Sequence, residues 1–232
     1  MPDYYSQIPM SKIIPFLKAL RLNNDREWFA AHKAEYLDVK AEVEELAMRL
    51  ISLVAEVEPS AAAMRVSDVT YRIYRDTRFS ADKSPYKTHI GIFINPPFGK
   101  KSWRNGYYFH LEPGNCFVCG GNMPAPGPLM RAMRQSVYDN IEEYIDIVES
   151  AEFKAFFPTV GMDRLKMAPK GFPKDWEHID YLKVKDFGTL MPVADNYLTS
   201  TGLAERLRPA IAQMKRLNDF INYAIDDYEG RL

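Results

Sequence analysis

The 232 residues are 47% apolar and 26% charged, a balance that allows a sizeable core and excludes wholesale disorder. A net charge of −1 argues against a polybasic coat for nucleic acid or for a membrane surface. Two cysteines, Cys116 and Cys119, are too few for a disulfide-stapled scaffold, and no apolar run approaches the roughly 20 residues of a membrane span.

The N-terminal Met1-Pro-Asp-Tyr-Tyr-Ser-Gln-Ile has no basic region followed by an apolar run. No signal peptide is therefore expected, and a cytoplasmic protein without membrane attachment is. Helices are predicted over 11–58. Pro15 suits an early position in a helix over Ile14–Arg21, which Asn23-Asn24 break. Asn24 and Glu27 have the Asn-x-x-Glu spacing of a capping box, just ahead of Trp28 and Phe29. Tyr36, Val39, Val43, Leu46, Ala47, Leu50 and Val54 then recur at three- and four-residue steps, one face of a long amphipathic helix that Pro59 ends. Between Glu27 and Glu58 eight acidic residues face Lys33, Lys40 and Arg49, a local −5 that reads as the solvated side of this helix.

The period changes in the middle, 69–120, where a sheet is predicted. Val69–Arg75, Thr88–Asn95, Gly106–Glu112 and Asn115–Gly120 are β-branched or aromatic runs separated by turn-rich segments. Glu112-Pro-Gly-Asn joins two of them as a tight hairpin, and Pro96 to Lys101 is a longer loop between antiparallel neighbours. Helix returns over 127–229. Leu129, Met130, Met133 and Val137 follow Pro126 and Pro128, Asp139 with Glu142 marks another capping box, and Leu182–Phe187 reads as a further strand. A final helix from about Pro209 buries Ile211, Met214, Leu217, Ile221 and Ile225. The pattern predicts one α+β domain over 1–232, an antiparallel β-sheet flanked by α-helices.

Chemistry concentrates in the sheet-forming third. From Arg72 to Arg104 eight Lys or Arg stand against Asp76 and Asp82, a local +6 in a nearly neutral chain. Alternate residues of a strand face opposite ways. Ile90, Ile92 and Ile94, with Tyr107, Phe109 and Leu111, then form the core face. His89, Gly91 and Phe93, with Tyr108, His110 and Glu112, form the other. The first run splits into Arg72, Tyr74 and Asp76 against Tyr71, Ile73 and Arg75, and we place Arg72 and Tyr74 with the histidines. Such a face suits a phosphate or carboxylate, since guanidinium offers a planar fork and imidazole donates as well.

Arg72, Arg75, Arg78 and Lys87 are thus candidate ligand-binding cations, with Tyr74, Asp76, Tyr108 and Glu112 beside them. His89 and His110 are a candidate acid–base pair for phosphoester chemistry. A purely structural cluster, with Asp76 pairing Arg78 or Lys83 to stiffen the loop, fits the same residues. Lys166 to Lys183 is a second basic segment, in which Lys170 before Gly171 sits where turn N–H groups also meet an anion.

Cys116 and Cys119 share only the text of a redox or zinc motif. Three apart in a strand, their sulfurs diverge, so buried structural thiols are expected. The four histidines (His32, His89, His110 and His178) have no metal-ligand spacing, and no cofactor is implied. There is no phosphate-binding Walker loop, dinucleotide fingerprint or nucleophile elbow.

Several blocks together resemble domain of unknown function family 2461. They are Phe16-Leu, Asn24-Asp-Arg-Glu-Trp-Phe, Tyr71-Arg-Ile-Tyr-Arg-Asp-Thr-Arg-Phe-Ser, Lys83-Ser-Pro-Tyr-Lys-Thr-His-Ile-Gly and Gly106-Tyr-Tyr-Phe-His-Leu-Glu-Pro-Gly. Gly120-Gly with Met123-Pro, Pro169-Lys-Gly-Phe and Leu182-Lys-Val-Lys-Asp-Phe complete the pattern. Lys170 stands where arginine is expected, and the two cysteines lie outside the pattern. The resemblance spans nearly the whole chain and implies a single domain, without assigning catalytic roles. Three functions remain open: a domain holding a phosphate-bearing ligand or nucleic acid, an enzyme acting on an anionic metabolite or phosphoester, and a protein-interaction domain with a structural Arg/His cluster.

Overall fold

A computed structural model describes residues 10–121 and 125–232. The segment read for a signal peptide, 1–9, and Met123-Pro124 of the family pattern lie outside the described residues. The chain folds as one α+β domain with a four-stranded antiparallel sheet in the order β1-β2-β3-β4. The strands are β1 (Ile90–Ile94), β2 (Gly106–Leu111), β3 (Cys116–Gly121) and β4 (Thr189–Val193). Contacts gather into two compact units. One holds Met1–Lys100, Tyr108–Val118 and Pro192–Arg208; the other holds Lys101–Tyr107, Cys119–Met191 and Pro209–Leu232.

In the first unit the apolar periodicity becomes α1 (Ile13–Leu22), α2 (Arg26–Ala31) and α3 (Lys33–Ala55). Ile13, Phe16, Leu17 and Leu20 of α1 are buried, as are Val39, Val43, Leu46, Leu50 and Val54 of α3. Each such side chain contributes about 1.5–3 kcal/mol relative to exposure, which is why the stripe fixes the helix. The acidic face is solvated and ion-paired, with Lys12–Asp38 and Lys40–Glu44 among its pairs.

Two local expectations fail here for physical reasons. Asp25, not Asn24, caps α2, its carboxylate accepting from the Trp28 N–H at 2.8 Å. Asn24 is taken by a distant partner: its amide donates to the Tyr86 carbonyl at 2.9 Å and accepts from the Tyr86 N–H at 3.1 Å. Pairing both backbone groups of one residue outcompetes one local cap. The strand predicted over Val69–Arg75 is not continuous. Val69 ends α4 (Val66–Val69), and only isolated bridges, Thr70 with Ile92 and Tyr74 with Tyr86, remain. The facing segment contains Pro85, which accepts from the Arg75 N–H at 2.9 Å but has no N–H to return.

The core face of the sheet is as predicted for Ile92, Ile94, Tyr107, Phe109 and Leu111, all buried, whereas Ile90 is only half-buried. The hairpin is a tight turn closed by Asn115 N–H on the Glu112 carbonyl at 2.9 Å. Pro113 presets its first corner, and Gly114, at φ +77°, supplies the left-handed second corner that a type II turn demands.

The second unit contains α5 (Gly127–Asp139), α6 (Ile141–Val148), α7 (Ala151–Lys154), α8 (Ile179–Leu182) and most of α9 (Leu203–Tyr228). Asp139 does not cap a helix; it ends α5 and accepts from Gln135 at 2.8 Å. The strand expected over Leu182–Phe187 reduces to one bridge, Val184 with Arg164. The Arg134 guanidinium occupies the carbonyls of Leu182 (2.8 Å) and Val184 (2.6 Å), acceptors that a ladder needs. The final helix starts at Leu203 and carries Pro209 inside it, with Ile211, Met214, Leu217, Ile221 and Ile225 buried as predicted. Cys116 and Cys119 are buried free thiols, and burial pushes Cys119 up to about 12. Among the described residues no helix is long and apolar enough to cross a membrane.

Candidate functional site

The site is built on the outer face of the sheet in the first unit. His89 immediately precedes β1, and strand alternation sets it on the same face as Gly91 and Phe93. Its ring stacks on His110 of β2, with centroids 4.9 Å apart, and His110 stacks on Phe117 of β3 at 4.5 Å. Three rings therefore run across three neighbouring strands. Tyr108 lies over Gly91, where a Cβ atom would stand 2.5 Å from the tyrosine hydroxyl. The missing side chain lets the phenol lie down and reach His110 Nδ1 at 2.9 Å.

Both nitrogens of His110 are engaged. Nε2 lies 3.3 Å from the Glu112 carboxylate, so the neutral ring donates there and accepts the Tyr108 hydroxyl at Nδ1. Glu112 also accepts from Asn115 at 2.8 Å and from Arg21 at 3.2 Å. Burial raises the Glu112 carboxyl, but Asn115, His110 and Arg21 together outweigh it and hold the group below its ordinary value. Burial lowers both histidines. For His89 the neighbouring His110 adds to the effect, and for His110 the Glu112 carboxylate opposes it.

Against this row lies a cleft of about 430 Å³, lined by Arg21, Asn24, Arg75, Asp82, Ser84, Tyr86, Lys87, Thr88 and His89. Three cationic side chains and one carboxylate are in its wall. Arg75 is held by Asp82, and Asp82 also accepts from the Ser84 N–H at 2.9 Å and the Ser84 hydroxyl at 2.6 Å. The Ser84 bonds and the Arg75 guanidinium keep the Asp82 carboxyl down at about 2. Lys87 differs. Its ammonium sits 5.4 Å from the Tyr71 ring centre and has no carboxylate or hydrogen-bond partner among the described residues. Burial, then the charges of Arg72 and Lys100, lower its pKa. His89 is half-buried, and its ring nitrogens likewise have no partner among the described residues.

The predicted residues divide accordingly. Arg75, Lys87 and His89 line the cleft; His110, Tyr108 and Glu112 stand behind His89. Arg72, placed with the histidines before any register was known, is exposed and is not in the lining; Arg75, of the alternate set, is, because the Thr70–Ile92 bridge registers the Thr70, Arg72 and Tyr74 set with the core-facing Ile92 instead of with His89. Tyr74 is 48% exposed and packs beside Tyr86 at 5.3 Å. Asp76 and Arg78 pair with each other at 2.6 Å on the exposed loop, and Lys83 donates to the Thr77 carbonyl instead. Lys170 is an exposed residue of the second unit and is not among the lining residues. Sequence reasoning missed Arg21, Asn24, Asp82, Ser84, Tyr86 and Thr88 as wall residues. Arg21 and Asn24 carry no local signal, because a helix end some fifty residues from the basic block gives no hint of where it docks.

A family model described as "Conserved hypothetical protein (DUF2461)" matches residues 12–220. Neither the curated proteins nor the solved structures gave a match. With the match covering all but the ends of the 232 residues, the chain belongs to the DUF2461 family of conserved hypothetical proteins.

Proposed function

We propose that the cleft binds a phosphate-bearing small molecule, with Lys87 and His89 as its principal donors. One observation carries this reading: both side chains line the cleft, and neither has a hydrogen-bond partner or counter-ion among the described residues. Ammonium and imidazole donors held on a rigid sheet favour an anion, and a charge-assisted bond is about twice as strong as a neutral one. The cleft volume lies within the range of small-molecule sites, about 300–1,000 Å³. A concave site and a net charge of −1 favour a compact ligand over a nucleic-acid strand. We place the protein in the cytoplasm, in keeping with its two free thiols.

The test is calorimetric titration of the intact protein with inorganic phosphate at low salt. Binding that falls at least tenfold in Lys87→Met and weakens as salt rises is the expected result. Equal affinity in wild type and Lys87→Met overturns the reading.

A second reading, an enzyme acting on a phosphorylated metabolite, is favoured by the backing of His89. A ring with open nitrogens, stacked on a neutral His110 that Glu112 and Tyr108 hold in place, is built for proton transfer at His89. His110 is then a positioning residue, since neither of its nitrogens is left for a substrate. Turnover of a phosphomonoester panel that survives His89→Gln eliminates this assignment.

A further inference from the structure

The walls around Lys87 and His89 also restrict what accompanies the phosphate. Resting on the phosphate-binding reading, the geometry points to a sugar or polyol monophosphate as the ligand of this cleft.

Three observations carry the choice. First, the lining offers hydroxyl-matching groups. A carboxylate has about four lone-pair positions, and Asp82 uses three of them on Arg75 and on the Ser84 N–H and hydroxyl, which leaves one to accept from a ligand hydroxyl. The Thr88 hydroxyl has no partner among the described residues and both donates and accepts. Ser84, whose proton is committed to Asp82, keeps acceptor capacity.

Second, among the described residues the lining has no open carbon-ring aromatic face for a nucleobase. Tyr86 is 5% exposed and stacks on Phe29 at 4.0 Å, and the small His89 ring has one face laid on His110. Base recognition leans on such stacking, which is worth about 1–3 kcal/mol per base.

Third, the paired cations limit the anion count. Asp82 neutralises Arg75 and Glu112 neutralises Arg21, so Lys87 is the lining cation left without a carboxylate among the described residues. One phosphate is matched by Lys87 and His89, whereas a second finds its cations already taken. A chain of hydroxyls meets Asp82, Ser84 and Thr88 without repulsion.

The experiment is calorimetric titration of the intact protein, at low salt and pH 7, with inorganic phosphate, glucose 6-phosphate, adenosine monophosphate and fructose 1,6-bisphosphate. Glucose 6-phosphate is expected to bind at least tenfold tighter than inorganic phosphate. Adenosine monophosphate should gain less than threefold over inorganic phosphate, and the bisphosphate should bind no tighter than the monophosphate. Thr88→Val should remove most of the sugar increment, read as the ratio of glucose 6-phosphate to inorganic phosphate affinity in the same variant, and Ser84→Ala gives an independent arm should Thr88→Val fold poorly.

Inorganic phosphate that binds with no gain from the sugar overturns this inference alone. So does a nucleotide that binds tighter than the sugar phosphate. No binding of any of the four overturns the phosphate-binding reading itself.

Discussion

His89 and His110 lie ring on ring, 4.9 Å apart, yet only His89 has ring nitrogens left to offer a ligand. The two histidines therefore have different duties. His110, 7% exposed and fixed by Glu112 and Tyr108, belongs to the sheet; His89 belongs to the cleft.

Substitution should separate them. His110→Gln disrupts one hydrogen bond each with Tyr108 and Glu112 and the stacking on Phe117, a loss of about 0.5–1.5 kcal/mol per bond. His89→Gln should change stability by less than about 0.5 kcal/mol while weakening phosphate binding several-fold. Paired denaturation and calorimetric titrations check this. Equal destabilisation by the two variants contradicts the division.

Acid should weaken the fold before it weakens the anion site. Both histidines titrate below their ordinary 6.5 because burial disfavours the charged ring. A depressed folded-state value means that the unfolded chain binds protons first. Stability is then fully present above about 6.5 and is lost as pH falls through the lowered folded values. Melting temperature recorded from pH 8 to 5 should drop below about 6.5, with a smaller drop in a His110→Gln background. Binding responds the other way: an anion beside His89 favours its charged form, so phosphate affinity should rise on mild acidification and binding should take up protons.

Gly91 is predicted to accept no side chain. A Cβ there would stand 2.5 Å from the Tyr108 hydroxyl and 2.9 Å from its Cε2. Gly91→Ala must displace the phenol from His110, at about 1–3 kcal/mol for overpacking. Tyr108→Ala should relieve that cost, so the double variant is expected to be no less stable than Tyr108→Ala alone. A chemical-denaturation cycle reads this coupling, and additive costs would refute the contact.

The capping prediction reverses an expectation drawn from sequence. Asn24→Ala removes two bonds to the Tyr86 backbone and should cost about 1–3 kcal/mol. Asp25→Ala, losing the cap, should cost about 1 kcal/mol. Glu27→Ala should cost little. Urea denaturation of the three variants decides the order, and a dominant effect of Glu27 would restore the capping box.

Much of this was legible in the residues. Alternation along Ile90–Ile94 and Gly106–Leu111 placed His89 with His110 and Tyr108 with Gly91, because a regular pair of strands preserves parity. Where regularity stops, so does the inference. Alternation split the Val69–Arg75 run into two sets without fixing their register, so the choice of Arg72 rested on nothing local, and the long-range Thr70–Ile92 bridge turns the Arg75 set toward the histidines instead. Asn24 looked like a local cap because its true partner, Tyr86, is sixty-two residues away. Leu182–Phe187 has strand-forming side chains, but a side chain from α5, Arg134, claims its carbonyls. Composition and period report on local preference; these exceptions are all set by long-range hydrogen bonds.

The most direct test of the anion site is the imidazole nitrogen–proton spectrum of the intact protein during titration with inorganic phosphate near pH 7. Four histidines give four ring systems. His89 alone should move toward its protonated form as phosphate binds, His110 should keep its proton on Nε2, and Lys87→Met should abolish the response. A spectrum in which His89 stays still while phosphate binds, or in which no ring responds at any phosphate concentration, contradicts the account.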